Sequence, residues 1–203
     1  MNKEIIGVMA GIIVLLTLIP YVWRICYGKI QPNLASWFLW AVIAFALLVT
    51  YWKSGAKESV WLAVVGCINP FIVTVLIWVK YRDKIHFNRL EQACLVIGIA
   101  ALVLWFIFRN QKPLIQYALC VAILADACAA VPTAVCYWRD PTLDRPFAWG
   151  AFCLASAMNI FAISEHTFAN YVYPIWMTVG SCLITIPLVR YRIKKQIPLK
   201  EWV

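Results

Sequence analysis

Charge is what this sequence has least of. Only 13% of its residues are Asp, Glu, Lys or Arg, and acids are the scarcer half, with 9 Asp+Glu against 18 Lys+Arg. A water-soluble domain carries about 25% charged residues, so a soluble globular protein is excluded. Histidine is nearly absent as well. The two present, His86 and His166, are isolated in polar gaps, which leaves no histidine cluster for a metal or a triad. No G-x-S-x-G, H-E-x-x-H or P-loop pattern occurs, so an enzyme is not expected. Cysteine is plentiful at 8, yet no C-x-x-C pair exists. Most of the cysteines fall in apolar segments and read as small core residues rather than disulfides or metal ligands. No cofactor or metal is expected.

What is present is apolar. Hydrophobic residues make up 64% of the 203, and mean hydropathy is +0.80, the mark of an integral membrane protein. Seven apolar runs stand out, at about Ile5–Val22, Ala35–Trp52, Ser59–Val79, Glu91–Phe108, Leu114–Tyr137, Phe147–Ser164 and Asn170–Val189. Each approaches the roughly 20 residues a helix needs to cross a bilayer. The first run lacks an A-x-A site, so it reads as a span rather than a cleavable leader. The polar gaps leave no room for a soluble domain.

The basic residues orient these spans. The odd-numbered gaps and the C-terminal tail hold 13 of the 18 Lys+Arg, including Arg24, Lys80, Arg82, Lys84, Arg139, Arg145 and Arg192. The N-terminus and the other gaps hold 5: Lys3, Lys53, Lys57, Arg109 and Lys112. The positive-inside rule then sets the N-terminus outside and the C-terminus in the cytoplasm. The net charge of +9 is therefore a topology signal, and no nucleic-acid partner is expected.

An internal repeat is legible. Pro20 and Pro132 are 112 residues apart, and so are Trp37 and Trp149. Val65-Gly66 is echoed by Val179-Gly180, and Lys80-Tyr81-Arg82 by Arg190-Tyr191-Arg192. Spans one to three thus match spans five to seven. The fourth, Cys94 to Phe106, has no strong polar group and reads as a connector facing lipid. The expected fold is all-α: two parallel three-helix bundles at 1–84 and 113–203, joined by a linker helix at 85–112.

The residue that singles itself out is Asp126, in the middle of the fifth run. A charged side chain there costs about 2.5–3.5 kcal/mol to insert and ordinarily faces a bundle interior or a wet cavity. Ala122, Ala125, Ala129 and Ala130 beside it let helices approach closely. Asn69, Asn159 and Ser181 are further polar groups at mid-span. Asn69 and Asn159 also read as interhelical hydrogen-bonding residues. Trp61 and Trp176, on spans that carry such polar groups, are candidate stacking walls. Pro20, Pro32, Pro132 and Pro146 stand at equivalent span ends of the two halves and suit bends on which a gate could close. The roles open to Asp126 are proton coupling, cation coordination or a substrate hydrogen bond.

This pattern resembles the SWEET/PQ-loop superfamily and the related PnuC vitamin facilitators: seven spans in a 3+1+3 order with four prolines on the cytoplasmic side. The family's Pro-Gln pair stands here as Pro20-Tyr21 and Pro132-Thr133. Its span-three asparagine corresponds to Asn69, and Thr178, Ser181 or Thr185 would stand for a second asparagine on span seven. The resemblance implies a plasma-membrane carrier for a small polar solute such as a sugar, a riboside or vitamin, or an amino acid. It would work by alternating access around a midplane site. Membrane lipid and a small-molecule substrate are then the expected partners, and a homo-oligomer is compatible. A non-transporting receptor or assembly subunit on the same fold is the alternative.

Overall fold

The computed structural model describes residues 2–81, 87–108, 110 and 115–202. Arg82, Lys84, His86, Arg109 and Lys112 lie outside the described residues, as do both expected bundle boundaries. Among the described residues the chain is helical and has no strand. Seven helices run α1 Lys3–Cys26, α2 Leu34–Lys53, α3 Trp61–Tyr81, α4 Arg89–Phe108, α5 Ile115–Arg139, α6 Pro146–Ile160 and α7 Phe168–Lys194, with a short 3-10 turn, Glu58–Val60, leading into α3. Six of the helical segments are long and apolar enough to cross a membrane.

The helix starts follow from local chemistry. Asn2, Asn33 and Thr167 cap α1, α2 and α7, their side-chain oxygens accepting the N–H of Glu4, Ser36 and Asn170. Such caps are worth about 1 kcal/mol each. Pro146 occupies the first turn of α6, where its missing N–H costs nothing.

α6 is shorter than the sixth apolar run. It stops at Ile160 after 15 residues, a rise of about 22 Å against a hydrocarbon core of about 30 Å. The apolar residues beyond it, Ala162 and Ile163, are buried in a loop. Lys3 Nζ donates to the Ile163 carbonyl at 2.8 Å, so the loop is tied to the start of α1.

The packing is regular. α3 packs on both α1 and α2, and α7 on both α5 and α6. Across the molecule α1 packs on α6 and α2 on α5. α4 lies against α5 and α2. Its outer side, including Val96, Ile97, Val103 and Phe106, is exposed. Gly98 of α4 meets the Leu39 side chain of α2. On α5, Ala118, Ala122, Ala125 and Ala129 form a fully buried stripe at helical spacing. It packs in one cluster with Leu39, Ile43 and Leu47 of α2 and with Ala101 and Trp105 of α4. The small side chains let the three helix backbones come close.

Helix-interior prolines leave carbonyls that other helices satisfy. Pro174 brings no N–H to the Asn170 carbonyl, and Tyr51 Oη of α2 donates to it at 3.2 Å. Pro187 does the same for the Leu183 carbonyl, which accepts Trp138 Nε1 of α5 at 3.0 Å. Each pair stitches α7 to a neighbour by a bond that the proline made available.

Gly7 marks the tightest backbone approach. A Cβ there would fall on the Glu58 carbonyl oxygen, which belongs to backbone and cannot swing away. Gly7→Ala is predicted to destabilise the protein by about 1–3 kcal/mol through overpacking. The check is a lowered Tm in detergent. An unchanged Tm would mean that α1 shifts freely against the Glu58–Val60 turn.

Candidate functional site

A cavity opens between six of the seven helices, with about 140 Å³ available to the centres of water molecules. A single water needs about 10–15 Å³ on that measure, so the cavity is roomy enough to hold several. α1 contributes Thr17 and Tyr21, α2 Trp37 and Trp40, α3 Asn69 and Pro70, α5 Asp126 and Ala130, α6 Trp149 and Phe152, and α7 Tyr173, Trp176 and Ser181. The α7 positions Tyr173, Trp176, Met177, Gly180, Ser181 and Ile184 recur at helical spacing, so one face of that helix forms a continuous wall.

Asp126, Asn69 and Ser181 each sit near the middle of their helix. The fully buried alanine stripe of α5 turns inward to α2 and α4, and this leaves Asp126 and Ala130 on the adjoining face, toward the cavity. Asp126 is 9% exposed. Its Oδ2 accepts Trp176 Nε1 at 2.7 Å, and Trp176 is its one hydrogen-bond partner among the described residues. Asn69 Oδ1 is buried with no partner. Ser181 Oγ donates to the Met177 carbonyl at 2.6 Å, which leaves its lone pairs free to accept. Pro70 brings no N–H to the Gly66 carbonyl, and both residues line the cavity.

Four of the six expected binding residues, Asn69, Asp126, Ser181 and Trp176, are thus gathered on one cavity. The other two lie elsewhere. Asn159 is fully buried and donates its Nδ2 to the Ser59 carbonyl at 2.9 Å, tying α6 to the turn before α3. Trp61 is 44% exposed, and its backbone and Cβ pack against Gly11.

Below the cavity, toward the α1–α2 and α5–α6 loops, lies a cluster whose hub, Asp144, the sequence did not signal. Trp37, Trp40 and Trp149 touch one another, with ring centroids 5.3 to 5.9 Å apart. Beneath them Asp144, a loop residue, is fully buried. Its Oδ2 accepts Tyr21 Oη at 3.0 Å, Tyr137 Oη at 2.6 Å and Trp149 Nε1 at 3.0 Å. Its Oδ1 accepts the Arg145 N–H at 2.6 Å. One carboxylate therefore joins α1, α5 and α6. Burial pushes the Asp144 carboxyl above the usual range, and the Trp149, Tyr137, Arg145 and Tyr21 donors pull against that. Arg192 of α7 reaches the same place, donating to the Asp144 carbonyl at 2.6 Å and the Leu188 carbonyl at 3.0 Å. Gln31 N–H donates to the Leu143 carbonyl at 2.9 Å, which joins the α1–α2 loop to the α5–α6 loop.

Of the four prolines expected to serve as bends, three adjoin residues of this end along the chain. Pro20 adjoins Tyr21, Pro32 follows Gln31, and Pro146 is two residues from Asp144. Pro132 lies within α5 beside the buried Thr133. At the opposite end the Tyr51 and Tyr173 rings lie 4.4 Å apart, tilted by 36°, and Tyr51 Oη also meets Ser59 Oγ at 2.8 Å.

Among the described residues no three His, Cys, Asp or Glu side chains gather as a metal site. No known protein family, curated protein or solved structure matches the chain.

Asp144→Asn puts an amide N–H among three donors and leaves part of the cluster unpaired. It is predicted to cost about 3 kcal/mol, and Tyr137→Phe, which deletes one donor, about 1–2 kcal/mol. Thermal unfolding in detergent checks both. Equal and negligible Tm changes would remove Asp144 as the organising residue of this end.

Proposed function

We propose that the chain is a seven-span carrier that moves a small polar solute by alternating access around the cavity. The observation that carries this reading is Asp126: a carboxyl at mid-helix, on a cavity wall, with one indole as partner among the described residues. An ionisable group kept at such depth is expensive, and this expense is the usual sign of a solute or ion pathway. Coupling to protons through Asp126 belongs to the same proposal.

The pattern of neighbours supports two parallel repeats joined by α4. Exchanging α1, α2 and α3 for α5, α6 and α7 maps the α1–α3 contact onto α5–α7, the α2–α3 contact onto α6–α7, and the α1–α6 contact onto α5–α2. That is the neighbour relation of a pseudo-two-fold axis running between the bundles, and it supports the SWEET/PQ-loop resemblance. In this reading α6, although short, is the sixth span. The Trp37–Trp40–Trp149 layer and the Asp144 cluster form the inner gate, with Pro20, Pro32, Pro132 and Pro146 as its bends. The Tyr51–Tyr173 contact forms the outer one. The N-terminus lies outside the cell and the C-terminus in the cytoplasm, with the plasma membrane as the site of action.

Two measurements test this. Proteoliposomes carrying the protein should take up one class among sugars, ribosides and amino acids. Asp126→Asn should lower that uptake about tenfold or more and flatten its pH dependence. Uptake and pH dependence untouched by the substitution would remove Asp126 from the coupling. No uptake of any solute would favour a receptor or assembly role. The orientation is tested at Cys26, exposed at the end of α1. A membrane-impermeant maleimide should label it only after the membrane is opened, and labelling in intact cells would reverse the topology.

A further inference from the structure

The cavity walls hold one formal charge. Asp126 is the acid, and among the described residues no Lys, Arg or His lines the space. The one ion pair among the described residues, Lys57 Nζ to Glu165 Oε1 at 2.7 Å, is on the exposed surface and far from α5 in sequence. Arg145 and Arg192 belong to the cluster beneath the tryptophan layer and do not line the cavity. A buried carboxylate with no counter-charge is costly, and one indole N–H fills one of about four lone-pair positions.

The remaining polar groups include acceptors that a cation could also use. Asn69 Oδ1 is a buried acceptor with no partner. Ser181 Oγ has given its proton to Met177 and can only accept in that arrangement. The Gly66 carbonyl has lost its usual donor to Pro70. Beside these stand four donors on lining residues, Asn69 Nδ2, Trp37 Nε1, Trp40 Nε1 and the Tyr173 hydroxyl, of which Trp37 Nε1 is buried and unpartnered. The rest of the wall is aromatic, and indole faces are the best neutral partners for a cation. A neutral sugar would leave the carboxylate without a counter-charge. An anion would meet Asp126. An apolar guest would leave the carboxylate unpaired.

We propose that the ligand of this cavity is an organic monocation. Its ammonium N–H group would sit among Asp126, Asn69 and Ser181, and its flat or apolar body against Trp37, Trp40 and Trp149. This assignment rests on the carrier reading for its choice of site, and it narrows the solute class.

The test uses two probes of nearly equal shape, 2-phenylethylammonium and the uncharged 2-phenylethanol, titrated by calorimetry at neutral pH into the purified full chain. The ammonium should bind about tenfold tighter or more. Asp126→Asn should abolish the ammonium's advantage over the alcohol. Equal affinities in the unaltered protein would overturn the proposal, with no variant needed. So would an ammonium advantage that survives Asp126→Asn. Liposome flux separates the two readings. If a neutral sugar or nucleoside is carried and saturating 2-phenylethylammonium does not compete, the carrier reading stands and the cation assignment falls. If the ammonium binds as expected and no solute is carried, the cation assignment stands and transport falls.

Discussion

In hydrocarbon a backbone carbonyl without a partner costs several kcal/mol, and no water is there to take the place of the missing donor. Much of this structure follows from that constraint. Five prolines lie inside helices α1, α3, α5 and α7, and each withholds an N–H from the turn before it. In α7 the two freed carbonyls are claimed by Tyr51 and Trp138, so what would be defects become the bonds that hold α7 to α2 and α5. In α3 the freed carbonyl faces the cavity instead. The same sequence device serves packing where a partner helix brings a donor, and leaves polar surface open where none does.

The cavity occurs where the packing changes character. One apolar cluster is built on the close approach of α2, α4 and α5 and reaches Tyr51 and Tyr173. The other is built on Tyr21, Trp37, Tyr137 and Trp149 at the opposite end. Trp40 packs against both. Small residues at the first cluster bring backbones together. At the second, bulky aromatic rings pack on one another, and Trp37, Trp40 and Trp149 among them also line the cavity. The hydrogen bonds beneath them converge on a single residue, Asp144, so the second end depends on one carboxylate in a way the first does not.

The helices were legible because a bilayer demands long apolar runs, and those runs are plain in the sequence. The end of α6 was not. Its run continues through Ile163, but those residues bury themselves in a loop tied down by Lys3, and hydropathy does not distinguish an apolar loop from an apolar helix. For the cavity, the cost of placing a charge or an amide at mid-span pointed to Asp126 and Asn69. Choosing among the tryptophans required knowing which face of each helix turns inward. Trp61 and Trp176 were favoured for the helices they stand on, and only Trp176 is on the cavity face. Asn159 was equally deep by position, but it meets the Ser59 carbonyl, a contact a hundred residues away along the chain. Asp144 carried no local signal. A loop aspartate becomes a buried hub only when three donors from separate helices meet it.

The tryptophan layer also gives the molecule an optical property. Trp37 and Trp40 cross nearly edge-on at 82°, and Trp149 is tilted by 49° and 51° to the two. Indole transitions this close and this far from parallel couple, and a chiral arrangement of coupled dipoles produces a strong near-ultraviolet circular dichroism. The sign and size of that signal depend on the three angles. Any movement that parts α2 from α6 changes it, so the layer is a built-in spectroscopic gauge of how these two helices sit against each other.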